Sequence, residues 1–231
     1  MSPFSFDPKT YSELAPLGAA LDNFDQGPGQ AVLDNEIRSQ ETSSDLFERT
    51  EGAASLFGIS LLHRHFDMDD DEVLVEHGST STPWKLPQDP TNFMAGRLVP
   101  RSWRFEAGNE GAHLQAYEFG FQPHRSDDAA GNPVEAYSHF IQDLSSILAN
   151  HSLISVLGLM VVPSDYLPSP DHEQIKCERT FGRANVVFDI PPGDLDDKEK
   201  RTSIWVYGRP NNVGAEAMLC FSGCLCTRAD I

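Results

Sequence analysis

Ile59-Ser60-Leu61-Leu62-His63-Arg64-His65-Phe66-Asp67-Met68-Asp69-Asp70-Asp71-Glu72-Val73-Leu74-Val75-Glu76 is the stretch on which the fold turns. An apolar run, an acidic break and a second apolar run predict a buried strand over Ile59–Phe66, a turn over Asp67–Asp71 and a partner strand over Glu72–Glu76. Side chains at i and i+2 of a strand share a face, and the chain rises about 3.3 Å per residue. His63 and His65 are therefore expected on one side, about 7 Å apart in Cα. Glu72 follows seven residues after His65 and is placed to return across the hairpin.

Upstream, Thr42–Leu56 reads as a helix, with Thr42 or Ser43 as N-cap, Asp45 and Glu48 in the first turns, and Gly58 ending it in the C′ role. Residues 1–40 are rich in Pro, Gly, Ser and Asp and read as a partly ordered arm. A short helix within Tyr11–Phe24 carries Leu14, Leu17 and Leu21, and Gly27-Pro28-Gly29 breaks it.

Downstream, Ser79–Pro90 reads as a loop, and Arg97–Phe105 and Leu114–Phe121 as strands. Val134–Ala149 carries Tyr137, Phe140, Ile141, Leu144, Ile147 and Leu148, the stripe of a helix laid on a core. Leu153–Val162 reads as a central strand, Glu178–Ile190 as one long strand, and Ile204–Tyr207 and Ala217–Phe221 as closing strands. Six or seven strands and two helices without regular alternation predict an α+β fold, an antiparallel or mixed β-sheet with helices packed on one face. Residues 41–231 are expected to form one domain behind the arm. No G-x-x-x-x-G-K, G-x-G-x-x-G or G-x-S-x-G motif is present.

The chain has 35 Asp+Glu against 17 Lys+Arg, a formal net charge of −18. A surface of that sign repels phosphate backbones and anionic headgroups, so neither nucleic acid nor membrane is expected as a partner. No apolar run approaches the roughly 18 residues of a membrane-spanning helix, and no secretory signal is recognised, which gives a cytoplasmic expectation. Outside an oxidising compartment, Cys177, Cys220, Cys224 and Cys226 are expected as free thiols.

Four constellations could carry chemistry. His63 and His65, an H-x-H pair on a strand, offer two nitrogen ligands to zinc or another divalent metal, with Glu72 as the carboxylate ligand. Without metal, the same pair flanked by carboxylates can do acid–base work near neutral pH, assisted by Glu72 or Arg183. Equally, one histidine can donate to a backbone carbonyl while Arg64 pairs with Asp67 or Asp69, which is a purely structural use. Asp67, Asp69 and Asp71 alternate as at the start of an EF-hand, but Glu72 stands where that loop needs Gly and Gly78 where it needs Glu. Cys220, Cys224 and Cys226 either bind zinc with Cys177 or a histidine, or are small buried residues running into a tail. Trp84, Trp103 and Trp205 are candidate walls of an apolar pocket, and Arg104, Glu118, Arg179, Arg183 and Tyr207 candidate polar groups within one.

Gly58, His63, His65, Glu72 and Gly78 resemble the first motif of cupins, with one residue too few before His63 and extra residues before Glu72. No second motif with a third histidine accompanies them. Gly58-x-x-Leu61-Leu62-His63-Arg64-His65-Phe66, continuing to Glu72-x-Leu74-Val75, is similar to an uncharacterised group of fungal proteins of like length. Glu178-x-x-x-x-Gly182-Arg183-Ala184-Asn185 is similar to a second segment of that group. The group has no known activity, so the resemblance carries over no functional residue. The expectation is a small-molecule enzyme of isomerase, cyclase or lyase type using His63 and His65. The competing expectation is a non-catalytic binding domain whose acidic surface meets a basic protein partner.

Overall fold

The computed structural model describes residues 4–33, 42–86, 96–106, 113–123, 133–162, 175–191, 202–207 and 218–224. In chain order these form β1 (Phe4–Phe6), α1 (Leu17–Asp25), α2 (Gly29–Leu33), α3 (Ser43–Arg49), α4 (Ala53–Leu56), β2 (Phe57–Leu61), β3 (Glu72–His77), β4 (Thr80–Lys85), β5 (Gly96–Glu106) and β6 (His113–Pro123). There follow α5 (Pro133–Ala136), α6 (Ser138–Asn150), β7 (Leu157–Val161), β8 (Ile175–Phe181), β9 (Ala184–Ile190), β10 (Thr202–Tyr207) and β11 (Met218–Cys224). The fold is α+β. Its mixed sheet runs β1-β6-β3-β4-β9-β8-β11-β10-β2-β7-β5, and β5 pairs again with β6, so the sheet curls back on itself.

Aromatic side chains tie the helices to one face of that sheet. Phe24 of α1 lies 5.0 Å from Trp205 of β10, Phe47 of α3 stacks 3.9 Å from Tyr207, and Phe140 of α6 stacks 5.7 Å from Phe57 of β2. Ile59, Trp103, Leu157 and Leu159 continue the same core, and Phe140, Ile141, Leu144, Ile147 and Leu148 present the expected α6 stripe to it. The arm is packed too: Ala20, Phe24, Val32 and Leu33 join this core, and Tyr11 and Leu14 a smaller cluster with Leu62, Met68, Leu74 and Tyr117. No helix among the described residues is long and apolar enough to cross a membrane.

Several boundaries differ from expectation for local reasons. Thr42 closes a reciprocal capping box with Asp45, but the helix it starts stops at Thr50, and Gly52, at φ 79°, turns the chain into α4. A side chain at Gly52 would also lie 2.6 Å from the Tyr137 hydroxyl. Gly58 is not a helix end. It sits inside β2, where a Cβ would come within 2.9 Å of the Trp205 carbonyl oxygen.

The expected second long helix breaks at Tyr137, between α5 and α6. Part of the expected loop after Ser79 is β4, turned from β3 at Gly78 with φ 65°. The expected long strand from Glu178 is a hairpin, β8 and β9, folded at Gly182 with φ 60°.

The largest difference concerns the opening stretch. β2 ends at Leu61, and β3 does not pair with it. β2 is flanked by β7 and β10, whereas β3 lies between β4 and β6. Both edges of β2 are occupied, so the chain after the acidic turn joins the sheet elsewhere.

Candidate functional site

Beyond β2 the chain stays extended without entering a ladder, because the arm holds it. The Arg64 amide donates to the Ala15 carbonyl at 2.9 Å, and the Arg64 guanidinium donates to the Ser12 and Leu14 carbonyls, each at 2.9 Å. The His65 amide donates to the Tyr11 hydroxyl oxygen at 2.7 Å. The alternation of an extended chain survives, and the His63 and His65 rings meet edge to face, centroids 4.6 Å apart. Arg64 also pairs with Asp67 at 3.1 Å.

The carboxylate that joins them comes from the β8–β9 hairpin. A ring nitrogen of His63, one of His65 and a carboxylate oxygen of Glu178 all lie within 4.8 Å of one another. Glu178 and Thr180 share a face of β8, and Asn185 stands opposite Thr180 on β9. Glu178 Oε1 accepts from Ser203 Oγ at 2.7 Å, and Oε2 accepts from Asn185 Nδ2 at 2.8 Å. His65 Nε2 is 3.6 Å from Glu178 Oε2 and 3.1 Å from Asn185 Nδ2, while His65 Nδ1 is 3.3 Å from Thr180 Oγ1.

These contacts assign the tautomers. His63 Nδ1 faces the Leu61 carbonyl oxygen at 2.9 Å; that oxygen can only accept, so Nδ1 carries the proton. The amide nitrogen of Asn185 can only donate, so His65 Nε2 accepts and His65 Nδ1–H is directed to Thr180. Turning the amide over would set its oxygen against the Glu178 carboxylate. Both imidazoles thus bear hydrogen on Nδ1 and a lone pair on Nε2. His63 is 7% exposed, and its Nε2 has no hydrogen-bond partner among the described residues.

Burial, helped by the neighbouring His65 ring, pushes the His63 imidazole down to about 4 against the pull of Glu178 and the Leu61 hydrogen bond. For Glu178, burial raises the carboxyl pKa, but the two histidines and the Ser203 and Asn185 hydrogen bonds outweigh it and hold the group below the usual range.

Glu72 and Arg183 meet each other rather than the histidines. Arg183 forms an ion pair with Glu72 Oε2 and reaches Oε1 at 3.4 Å, and its Nε donates to the Asp67 carbonyl at 3.3 Å. The Asp69 amide donates to Glu72 Oε2 at 2.9 Å. Burial raises the Glu72 carboxyl, but the Arg183 hydrogen bond, the Asp69 amide and the Arg183 charge together hold it low. The carboxylate grouped with His63 and His65 is therefore Glu178, and Glu72 has its own cation.

Trp103 and Trp205 are wholly buried in the core and Trp84 packs against it. An open cleft of about 650 Å³ is lined by residues that include Leu14, Leu62, Arg104, Phe105, Glu106 and Ile154, and it contains none of the His–His–Glu trio. Cys177 is a buried free thiol. Cys226 and the side chains of Cys220 and Cys224 lie outside the described residues.

Zinc bound to nitrogen at 2.0–2.1 Å in tetrahedral geometry sets its ligand atoms about 3.3 Å apart. The His65–Glu178 separation is close to that value, and His63 needs to approach by about 1.5 Å at most. The second shell is already in place, with Leu61 and Thr180 on the two Nδ1 protons and Ser203 and Asn185 on the carboxylate. The chain matches no family model, and no curated protein or solved structure matches it at a significant level.

Proposed function

We propose that the protein is a small-molecule enzyme, of isomerase, cyclase or lyase type, whose reaction centre holds one divalent transition ion, zinc or a similar metal. Nε2 of His63, Nε2 of His65 and the Glu178 carboxylate are its ligands, and the hydrogen bond from Asn185 to His65 Nε2 gives way to the ion. The observation that carries this reading is the His63 Nε2 lone pair, buried without a partner beside a second imidazole and a carboxylate. A buried polar atom left unpaired costs about 1–3 kcal/mol, and an N₂O donor set relieves that cost by binding a cation.

Three protein ligands leave a coordination position for substrate or water. An ion there supplies Lewis acidity, polarising a carbonyl or acidifying a bound water. The protein residues orient the ligands: Leu61 and Thr180 fix the two rings, and Asn185 and Ser203 fix the carboxylate.

Metal-free protein is titrated with cobalt(II) and followed by its visible absorption. One ion per chain is expected, with binding lost in His63→Ala, His65→Ala and Glu178→Gln. Uptake below about a tenth of an ion per chain by wild-type protein overturns the reading. Added azide or a hydroxamate should shift the visible band if a position is open to small molecules; an unmoved band makes the site structural and removes the enzymatic half of the proposal. An acidic binding module for a basic partner calls instead for a sizeable exposed apolar patch, and among the described residues Phe181 is the one large hydrophobic side chain exposed.

A further inference from the structure

We infer that Arg183 and Glu72 form a positioning latch that holds Glu178 in register with His63 and His65. This rests on the metal-centre reading above. The ligands come from two pieces of chain that share no backbone hydrogen bond among the described residues. The histidine segment is bridged to Pro16 of the arm, and among the described residues β8 and β9 pair only with β11, with each other and with β4. Backbone ladders join the two only through intervening strands, β2-β10-β11-β8 and β3-β4-β9, and side chains make the direct contacts.

Three of these direct contacts, from Thr180, Asn185 and Glu178 to His65, belong to the site itself. Arg183 supplies an anchor outside it. It stands at the tip of the β8–β9 hairpin, directly after Gly182, whose φ of 60° makes the tight turn possible. From there it grips Glu72 at the start of β3 and the Asp67 carbonyl, two residues beyond His65. The same guanidinium thus fixes both ends of the loop that follows the histidines, and ties that loop to the hairpin bearing Glu178.

The chemistry suits this role better than substrate binding. A guanidinium presents a rigid fork to a carboxylate, whereas an ammonium is a single point charge. Glu72 is 5% exposed and its other donor is the Asp69 amide, so it has strong reason to keep its cation. Arg183 is half exposed, which limits what the pair adds to global stability. Its effect falls on the relative placement of the two ligand-bearing segments, to which metal affinity is sensitive.

Cobalt(II) dissociation constants and visible spectra are measured for the full chain and for Arg183→Gln, Glu72→Gln, the double variant and Arg183→Lys. Loss of an orienting contact outside the ligand set weakens metal binding about 10–100-fold, and that range is expected for either single variant. The double variant should lose no more than the worse single one, because the two residues act as a unit. The visible band should weaken as the coordination loosens, a change that a mere loss of thermal stability does not produce.

Wild-type affinity in Arg183→Gln overturns the latch and leaves the metal centre standing. A wild-type chain that takes up no cobalt overturns the metal centre itself. If Arg183→Gln does not fold, Arg183→Lys decides: it keeps the charge at the hairpin tip and should bind several-fold more weakly, and unchanged binding overturns the latch.

Discussion

His63 should make the metal-free protein lose stability as pH falls from 6.5 towards 4, by an amount that can be worked out. Its imidazole ordinarily takes a proton near 6.5 and is pushed down to about 4 in the folded chain. Between those values the unfolded chain holds a proton that the folded chain refuses. Stability therefore rises with pH across that window and is lost as the solution is acidified through it. Each unit corresponds to about 1.4 kcal/mol, so the full shift is worth about 3 kcal/mol. At 7% exposure there is little solvent to screen it.

The assay is urea unfolding in a chelator at pH 7.5, 6.5, 5.5 and 4.5, for wild type and for His63→Leu, which fills a similar volume and does not titrate. The two stabilities should run parallel above pH 7 and converge or cross below 6.5, wild type losing about 3 kcal/mol relative to the variant by the acid end. Curves that stay parallel throughout would show that His63 is not held neutral by burial, and the argument for a lone pair waiting on a cation would fall with it.

Two predictions concern the scaffold. A Cβ at Gly158 would lie 2.5 Å from the Trp103 carbonyl oxygen and 2.6 Å from Leu62 Cδ2, so Gly158→Ala should cost about 1–3 kcal/mol. Thermal unfolding should show a fall of several degrees, while Gly120→Ala, whose nearest neighbour is 4.0 Å away, should change little; equal melting temperatures for the two variants would contradict the β5–β7 approach. Thr42→Ala removes the capping box with Asp45 and should cost about 0.5–2 kcal/mol in chemical denaturation, with Thr42→Ser restoring most of it.

Much of the scaffold was legible because hydrophobic period reports local structure directly. The α6 stripe and the apolar runs of β5, β6 and β7 needed no tertiary information. The β4 strand was hidden by its proline. Pro83 is tolerated because β9 meets β4 only at Thr80 and Ser81, leaving no ladder donor required further along that edge. Pairing between β2 and β3 was the natural inference from an acidic turn between two apolar runs, and it failed because β7 and β10 occupy both edges of β2. That error moved Glu72 across a hairpin that does not exist.

The site was half legible for the same reason. An H-x-H spacing is visible in a single sequence, but Glu178 lies far along the chain from His65 and is brought towards it by the strand order β8-β11-β10-β2. Glu178 and Asn185 stood in a segment that read only as part of one long strand. What distinguishes Glu178 from Glu72 is charge balance, which appears only once partners are known. Glu72 is compensated by Arg183. Glu178 is equally buried, yet its hydrogen-bond donors, Ser203 and Asn185, are neutral, and its ion-pair partner among the described residues is His65, whose Nε2 already accepts from Asn185. Its stabilisation comes from the two histidines and the Ser203 and Asn185 hydrogen bonds, and burial works against its charge. On the reading proposed above, a divalent cation between the three gives Glu178 a counter-charge and His63 Nε2 a partner.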